Sequence, residues 1–123
     1  MIRSRNLVVF AALNGAMAVM TGAFAAHGAG PEVKSLLTTG AYYQLAHAVL
    51  AMICAVWPVR DRLVRAAGWM VACGGLVFAT ALSLIALGGL SFMGVVAPVG
   101  GMLMIMGWIL LAIAGFRSQT TDA

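Results

Sequence analysis

The chain has 123 residues, of which 63% are hydrophobic and only 8% charged, with a net charge of +4. Soluble domains carry about 25% charged residues, and a soluble chain this short has too little interior to bury so much apolar surface. A mean hydropathy of +1.06 excludes an ordinary soluble domain, a disordered chain and a nucleic-acid binder, and leaves an integral membrane protein.

Crossing a hydrocarbon core of about 30 Å takes a helix of about 20 apolar residues. Four runs reach that length, which predicts helices at about 6–26, 41–59, 66–87 and 93–116. They use most of the chain, so we read one all-α domain, an antiparallel four-helix bundle in the membrane. The first run also resembles a secretory signal, with Arg3 and Arg5 before it and Ala23-Phe24-Ala25 near its end. Its apolar stretch exceeds a usual signal core, and cleavage would leave three spans. The uncleaved reading is therefore preferred.

Helix one carries small residues at Ala11, Gly15, Ala18, Gly22 and Ala25. Such stripes let helices approach closely in lipid, where hydrophobic sorting gives little. The connector from His27 to Gly40 holds Pro31, Glu32 and Lys34. Pro31 suits a first helical turn, with Glu32 at its positive end. The segment 31–39 is read either as a short interfacial helix or as a plain loop.

Helix two brings Tyr43, Gln44 and His47 onto one face, which continues through Ala51 to Cys54. Measured from Ala41, His47 lies about 9 Å deep at 1.5 Å per residue. An unsatisfied polar group in hydrocarbon costs several kcal/mol, so this face is expected to turn inward, and Gln44 and Asn14, the latter near the middle of helix one, are expected to be held by bonds between helices. Pro58 and the charged run Arg60-Asp61-Arg62 close the helix. Helix three repeats a small-residue stripe at Gly68, Ala72, Gly75, Ala79 and Leu82 and also carries Thr80 and Ser83. The uncharged Gly88-Gly89-Leu90-Ser91 must be a tight hairpin. Helix four offers two glycine seams, Gly94 with Gly101 and Gly100 with Gly107. Pro98, early in it, cannot donate a backbone bond and frees the carbonyl near Gly94. These positions predict a polar core in the outer half, bounded by His27, Tyr43, Gln44, His47 and Pro98, as a candidate ligand site.

Lys and Arg counts orient the bundle. Arg3, Arg5, Arg60, Arg62, Arg65 and Arg117 share one side against Lys34 on the other. Both termini and the second connector are therefore expected in the cytoplasm of a bacterial cell, with the chain in the cytoplasmic (inner) membrane.

Enzyme signals are poor, since no nucleophile–base–acid set, phosphate loop or zinc motif is present. No charged residue lies inside a span, which weighs against a solo transporter. The nine methionines scatter over several faces and read as flexible packing rather than a soft-metal site. A bis-histidine haem site would need His27 and His47 at one depth. By the run boundaries they differ by several ångströms, a gap that a longer second helix would narrow. We expect no metal and no cofactor. Cys54 and Cys73 are read at comparable depth, and a disulfide between them is not expected in a reducing compartment.

Four segments together resemble one family. They are Gly22-Ala23-Phe24-Ala25-Ala26-His27, Thr39-Gly40-Ala41-Tyr42-Tyr43-Gln44-Leu45-Ala46-His47, Phe78 to Leu87, and Ala97-Pro98-Val99-Gly100-Gly101 with Gly107-Trp108. In this order and spacing they resemble the small bacterial membrane proteins catalogued as domain of unknown function 423, distantly related to transmembrane protein 256. The resemblance covers essentially the whole chain. It implies a four-span protein of the cytoplasmic membrane and no particular activity. The family's Gly-Ala-Phe-Gly-Ala-His is matched except at Ala25, and its Tyr-Gln with a following His is matched by Tyr43, Gln44 and His47. Its third helix commonly carries Ser-Gly-Ser where Ala79, Thr80 and Ala81 stand here, and Ala97 replaces a Thr before the last proline. The resemblance thus implies that any small-molecule site keeps its helix one and two side only.

The reading that follows is a non-enzymatic accessory, scaffold or small-ligand- or lipid-binding protein. Its partners would be membrane lipids, a second copy or a larger membrane complex, and not nucleic acid. An oligomeric transporter or channel is the alternative, and a metal or haem binder the third reading.

Overall fold

The computed structural model describes residues 4–122, with side chains described as far as Ser118. Arg3 lies outside these residues. The elements are α1 (Arg5–Gly28), α2 (Pro31–Ala55), α3 (Arg62–Gly88), a 3₁₀ turn (Ser91–Val95) and α4 (Ala97–Asp122). Four helical stretches, the last running from Ser91 to Ser118, are long and apolar enough to cross a membrane. The fold is an all-α helical membrane bundle.

The main departure from the sequence reading is α2. It starts at Pro31, with Glu32 in its first turn, and runs unbroken through Gly40. Pro31 fits because the first helical N–H has no intrahelical partner to lose. The segment 31–39 is therefore neither a loop nor a separate interfacial helix. At its other end α2 stops at Ala55, ahead of Pro58, and Asp61 caps α3 by accepting from the Leu63 N–H at 2.8 Å. The expected hairpin after α3 turns on Gly89, whose φ of 65° is left-handed and suits glycine. Its N–H and that of Leu90 return to Ile85 and Leu84. The 3₁₀ turn then delays α4 to Ala97, so Pro98 sits in a first turn rather than inside the helix.

The helices pack in chain order. α1 lies along α2, α2 along α3 and α3 along α4, while α1 touches α3 in a smaller contact and makes no extended contact with α4. The bundle is thus an open row with α2 and α3 at its centre. Contacts run in opposite chain directions, as antiparallel neighbours require. A Cβ on Gly15 would face Ala48 and one on Gly22 would face Ala41. Gly40 likewise faces Ala79, and Gly68 faces Cys54. Since Cys54 stands opposite Gly68, Cys73 lies roughly 7 Å further along the axis, and both thiols are free.

The α3–α4 interface is the tightest. A Cβ on Gly100 would fall 2.6 Å from the Gly74 carbonyl oxygen and 2.6 Å from the Phe78 nitrogen. Of the two glycine seams on α4, only Gly100 with Gly107 is buried against α3, while Gly94 and Gly101 face open space. Large apolar side chains such as Leu13, Met20, Met102 and Phe116 point outward, as a lipid environment allows.

The row closes unevenly. Near the termini α1 meets α3 through Leu7 on Gly68 and through a Phe10–Trp69 stack with ring centres 5.4 Å apart. A hydrogen bond from the Ser4 N–H to the Ala55 carbonyl, 3.1 Å, ties α1 to the end of α2 there. Toward the opposite end a second apolar cluster joins Leu36 of α2, Leu82 and Ile85 of α3, Met93 of the 3₁₀ turn and Ala97 of α4.

This packing sets a contrast on one helix. Gly100→Ala places its methyl against fixed backbone and is expected to lower stability by about 1–3 kcal/mol, as overpacking does. Gly101→Ala, with nothing within 4 Å of its Cβ, should be near neutral. Thermal unfolding in detergent, followed by circular dichroism, checks both; equal midpoints would refute the close α3–α4 approach.

Candidate functional site

Polar groups converge at the middle of the bundle. Gly75, equidistant from both ends of α3, would set a Cβ 3.4 Å from the Gln44 Cα and 3.5 Å from the His47 Cβ. The missing side chain lets α2 lie close and brings these two residues into the interior. Gln44 is 1% exposed and His47 7%. The outer-half placement read from the sequence is therefore corrected. Depth was measured from Ala41, but α2 begins ten residues earlier (at Pro31), which shifts the pair to mid-span.

His47 is held on both ring nitrogens. Trp108 on α4 donates its indole N–H to Nε2 at 3.1 Å, and Nδ1 stands 2.7 Å from the Tyr43 carbonyl oxygen. The indole can only donate, so Nε2 accepts and carries no hydrogen. Nδ1 must then hold the proton and donate it to Tyr43. The neighbours thus select one neutral tautomer, and a metal at Nε2 would have to displace the indole. Trp108 is half-exposed, with its ring edge-on to His47 at 6.1 Å between ring centres. Its N–H would face hydrocarbon without this acceptor, so the bond satisfies both residues at once.

Gln44 forms the second half of the cluster. Its Nε2 donates to Asn14 Oδ1 on α1 at 2.9 Å, with Met17 Sδ at 4.0 Å. Asn14 in turn donates through Nδ2 to the Phe10 carbonyl at 3.0 Å. The Gln44 carbonyl oxygen Oε1 is left without a hydrogen-bond partner among the described residues. No buried polar side-chain atom of those residues is sealed away unpaired. Oε1 therefore keeps some exposure, and Gln44 lines the groove between α1 and α3.

That groove lies where α1 and α3 part beyond the Phe10–Trp69 contact. It encloses about 370 Å³ and reaches from Gln44 toward the end opposite the termini, between Phe24 on α1 and Leu87 on α3. Its walls are apolar except for the hydroxyls of Thr21, Thr80 and Ser83. None of the three has a hydrogen-bond partner among the described residues.

The structure gathers Gln44 and His47 and sets Tyr43 at their edge. Tyr43 is 49% exposed rather than interior, its ring stacked on His47 and edge-on to Phe78 at 5.1 Å. It does not gather His27 or Pro98. His27 is exposed at the end of α1. Since Gly22 stands opposite Ala41, His27 lies about 16 Å from the level of His47 at 1.5 Å per residue. The longer α2 thus widens the gap between the histidines rather than narrowing it. Pro98 and Gly94 are exposed at the far end, outside the hydrogen bonds and ring contacts of the cluster. Sequence reasoning left out Trp108, whose signal was an indole donor at mid-run in an otherwise apolar helix. The bonding between helices expected of Gln44 and Asn14 is found, each with the other.

Trp108→Phe keeps an aromatic ring but removes the donor. It is expected to cost about 0.6–2 kcal/mol, the range of interhelical hydrogen bonds in membranes. Nitrogen NMR of the wild type should show His47 protonated at Nδ1 alone. A wild-type spectrum with the proton on Nε2 would contradict the assignment.

A family model described as "Protein of unknown function (DUF423)" matches residues 21–101. A UPF0382 membrane protein of Staphylococcus aureus (strain bovine RF122 / ET3-1) is 35% identical over 115 residues, covering 89% of this chain and 94% of its own length. A UPF0382 membrane protein of Staphylococcus epidermidis (strain ATCC 12228 / FDA PCI 1200) is similar to the same extent. No solved structure matches. With two thirds of its length inside the family model and such relatives along most of the chain, the protein belongs to the DUF423 family of multi-pass membrane proteins.

Proposed function

We propose that this protein is a non-enzymatic binder of a small amphiphile, which enters the α1–α3 groove sideways from the bilayer. The observation that carries the reading is the Gln44 carbonyl oxygen, unpaired on a residue that lines the deep end of that groove. A bare amide oxygen in hydrocarbon costs about 1–3 kcal/mol. An occupant that donates a hydrogen bond there removes the cost. Thr21, Thr80 and Ser83 offer further bonds along the wall, so the favoured ligand carries hydroxyl, phenol or amide groups on an apolar body. Thr80 and Ser83 supply a polar wall from α3, which extends the site beyond helices one and two.

The paired double variant Thr80→Val with Ser83→Ala tests this with little effect on packing, since Thr80 is exposed and Ser83 partly so. Mass spectrometry of protein extracted with its surrounding lipid should find a hydroxyl- or amide-bearing amphiphile enriched over the bulk membrane. The double variant should lose most of that enrichment. Identical lipid profiles for both proteins and the bulk membrane would refute the proposal.

The proposed setting is a bacterial cytoplasmic membrane with both termini inside. Support comes from Arg5, Arg60, Arg62, Arg65 and Arg117 at the terminal end against Lys34 near the start of α2. Reporter fusions at Asp122 and within 60–65 should read cytoplasmic, and one near Glu32 periplasmic; a periplasmic signal at Asp122 would reverse the orientation.

A further inference from the structure

A second cleft lies at the other end of the bundle and on other helices. α2 and α4 meet at the His47–Trp108 bond, but each packs along α3 rather than along its counterpart. Toward the termini they part and leave a cleft of about 530 Å³. Leu50, Ile53, Leu111 and Ala114 line its inner part, and Trp57, Asp61 and Arg117 stand at its mouth. Along α2 it spans Leu50 to Trp57, roughly 10 Å of depth at 1.5 Å per residue.

We propose that this cleft binds an anionic phospholipid of the adjoining leaflet. Its depth fits a glycerol backbone with the first methylenes of one acyl chain. The apolar inner wall offers water no partners, whereas an acyl chain fills it. The charge at the mouth selects the headgroup. Arg5, Arg60, Arg62, Arg65 and Arg117 are all exposed at this end. Asp61, which stands beside them, has Oδ1 engaged in capping α3. A guanidinium fork matches phosphate oxygens, and Trp57 is placed where indoles favour the headgroup level. A zwitterionic lipid brings its own positive charge into this field, and an anionic one does not.

The position of Gly115 makes the test clean. It lines the cleft, and a Cβ built there meets nothing within 4 Å. Gly115→Leu therefore starts its added side chain in open space at the cleft wall. Native mass spectrometry in detergent, titrating dioleoyl phosphatidylglycerol against dioleoyl phosphatidylcholine, reads the outcome. The wild type should bind phosphatidylglycerol about tenfold more tightly than phosphatidylcholine. Gly115→Leu should weaken phosphatidylglycerol at least tenfold, and Arg117→Gln should erase the preference between the lipids. Gly101→Leu, equally open but nearer the other end of α4, should bind as the wild type does. Equal affinity for the two lipids, or unchanged binding by Gly115→Leu, overturns the proposal. If Gly115→Leu does not fold, a preference retained by Arg117→Gln overturns it instead. The α1–α3 groove is untouched by these changes, so its occupancy stands or falls separately.

Discussion

Helix α3 must carry a neighbour on each side, and it does so by giving up side chains where they would collide. Gly68 and Gly75 receive α2, and Gly74 receives α4 with the Gly100 carbonyl oxygen 2.7 Å from where its Cβ would be. Between helices in lipid there is little hydrophobic gain to collect, so cohesion comes from dispersion at short range and from interhelical hydrogen bonds. Short range is available only where two backbones can approach. Gly75 then sets the level at which Gln44 and His47 enter the interior. The seam of Gly74 with Gly100 draws α4 near enough for Trp108 to reach His47 on the far neighbour. The polar cluster is thus a product of the glycine contacts as much as of its own bonds.

A central helix with two faces in use cannot also close a ring. α1 is anchored near the termini by Leu7 and the Phe10–Trp69 stack and lies free of α3 further on. α4 is anchored by the apolar cluster at the far end and lies free of α2 near the termini. The two clefts are therefore diagonal counterparts, one opening at each end of the bundle. The first has an amide and hydroxyls along its wall, the second a basic mouth.

Much of this could be read from residues alone. Four apolar runs specify the spans, because no other use of so much apolar chain fits so short a protein. The face holding Gln44 and His47 had to turn inward, since hydrocarbon offers such groups no partner. The depth of that face was misjudged because Gly40 and the polar residues around Lys34 resemble a connector. A helix end in the headgroup region tolerates the residues around Lys34, and Gly40 belongs to the helix as a contact, its Cβ position 3.2 Å from the Ala79 Cα. Which of two glycine seams packs was likewise not legible, for Gly94 with Gly101 and Gly100 with Gly107 have the same spacing. The choice rests on where α3 lies, and that depends on partners distant in sequence. His27 and Pro98 look chemically apt by residue type, but the register of α1 against α2 and the late start of α4 place both at the far end.

The bond between Asn14 and Gln44 also bears on how the chain is made. Asn14 donates one amide hydrogen to the Phe10 carbonyl within α1, yet its oxygen finds its donor on α2, thirty positions later. The first helix therefore leaves the ribosome with an unmet acceptor at its centre. Release into lipid at that moment would strand it. The Ser4 to Ala55 bond likewise waits for the end of α2, so α1 gains its partners only as the second helix is completed.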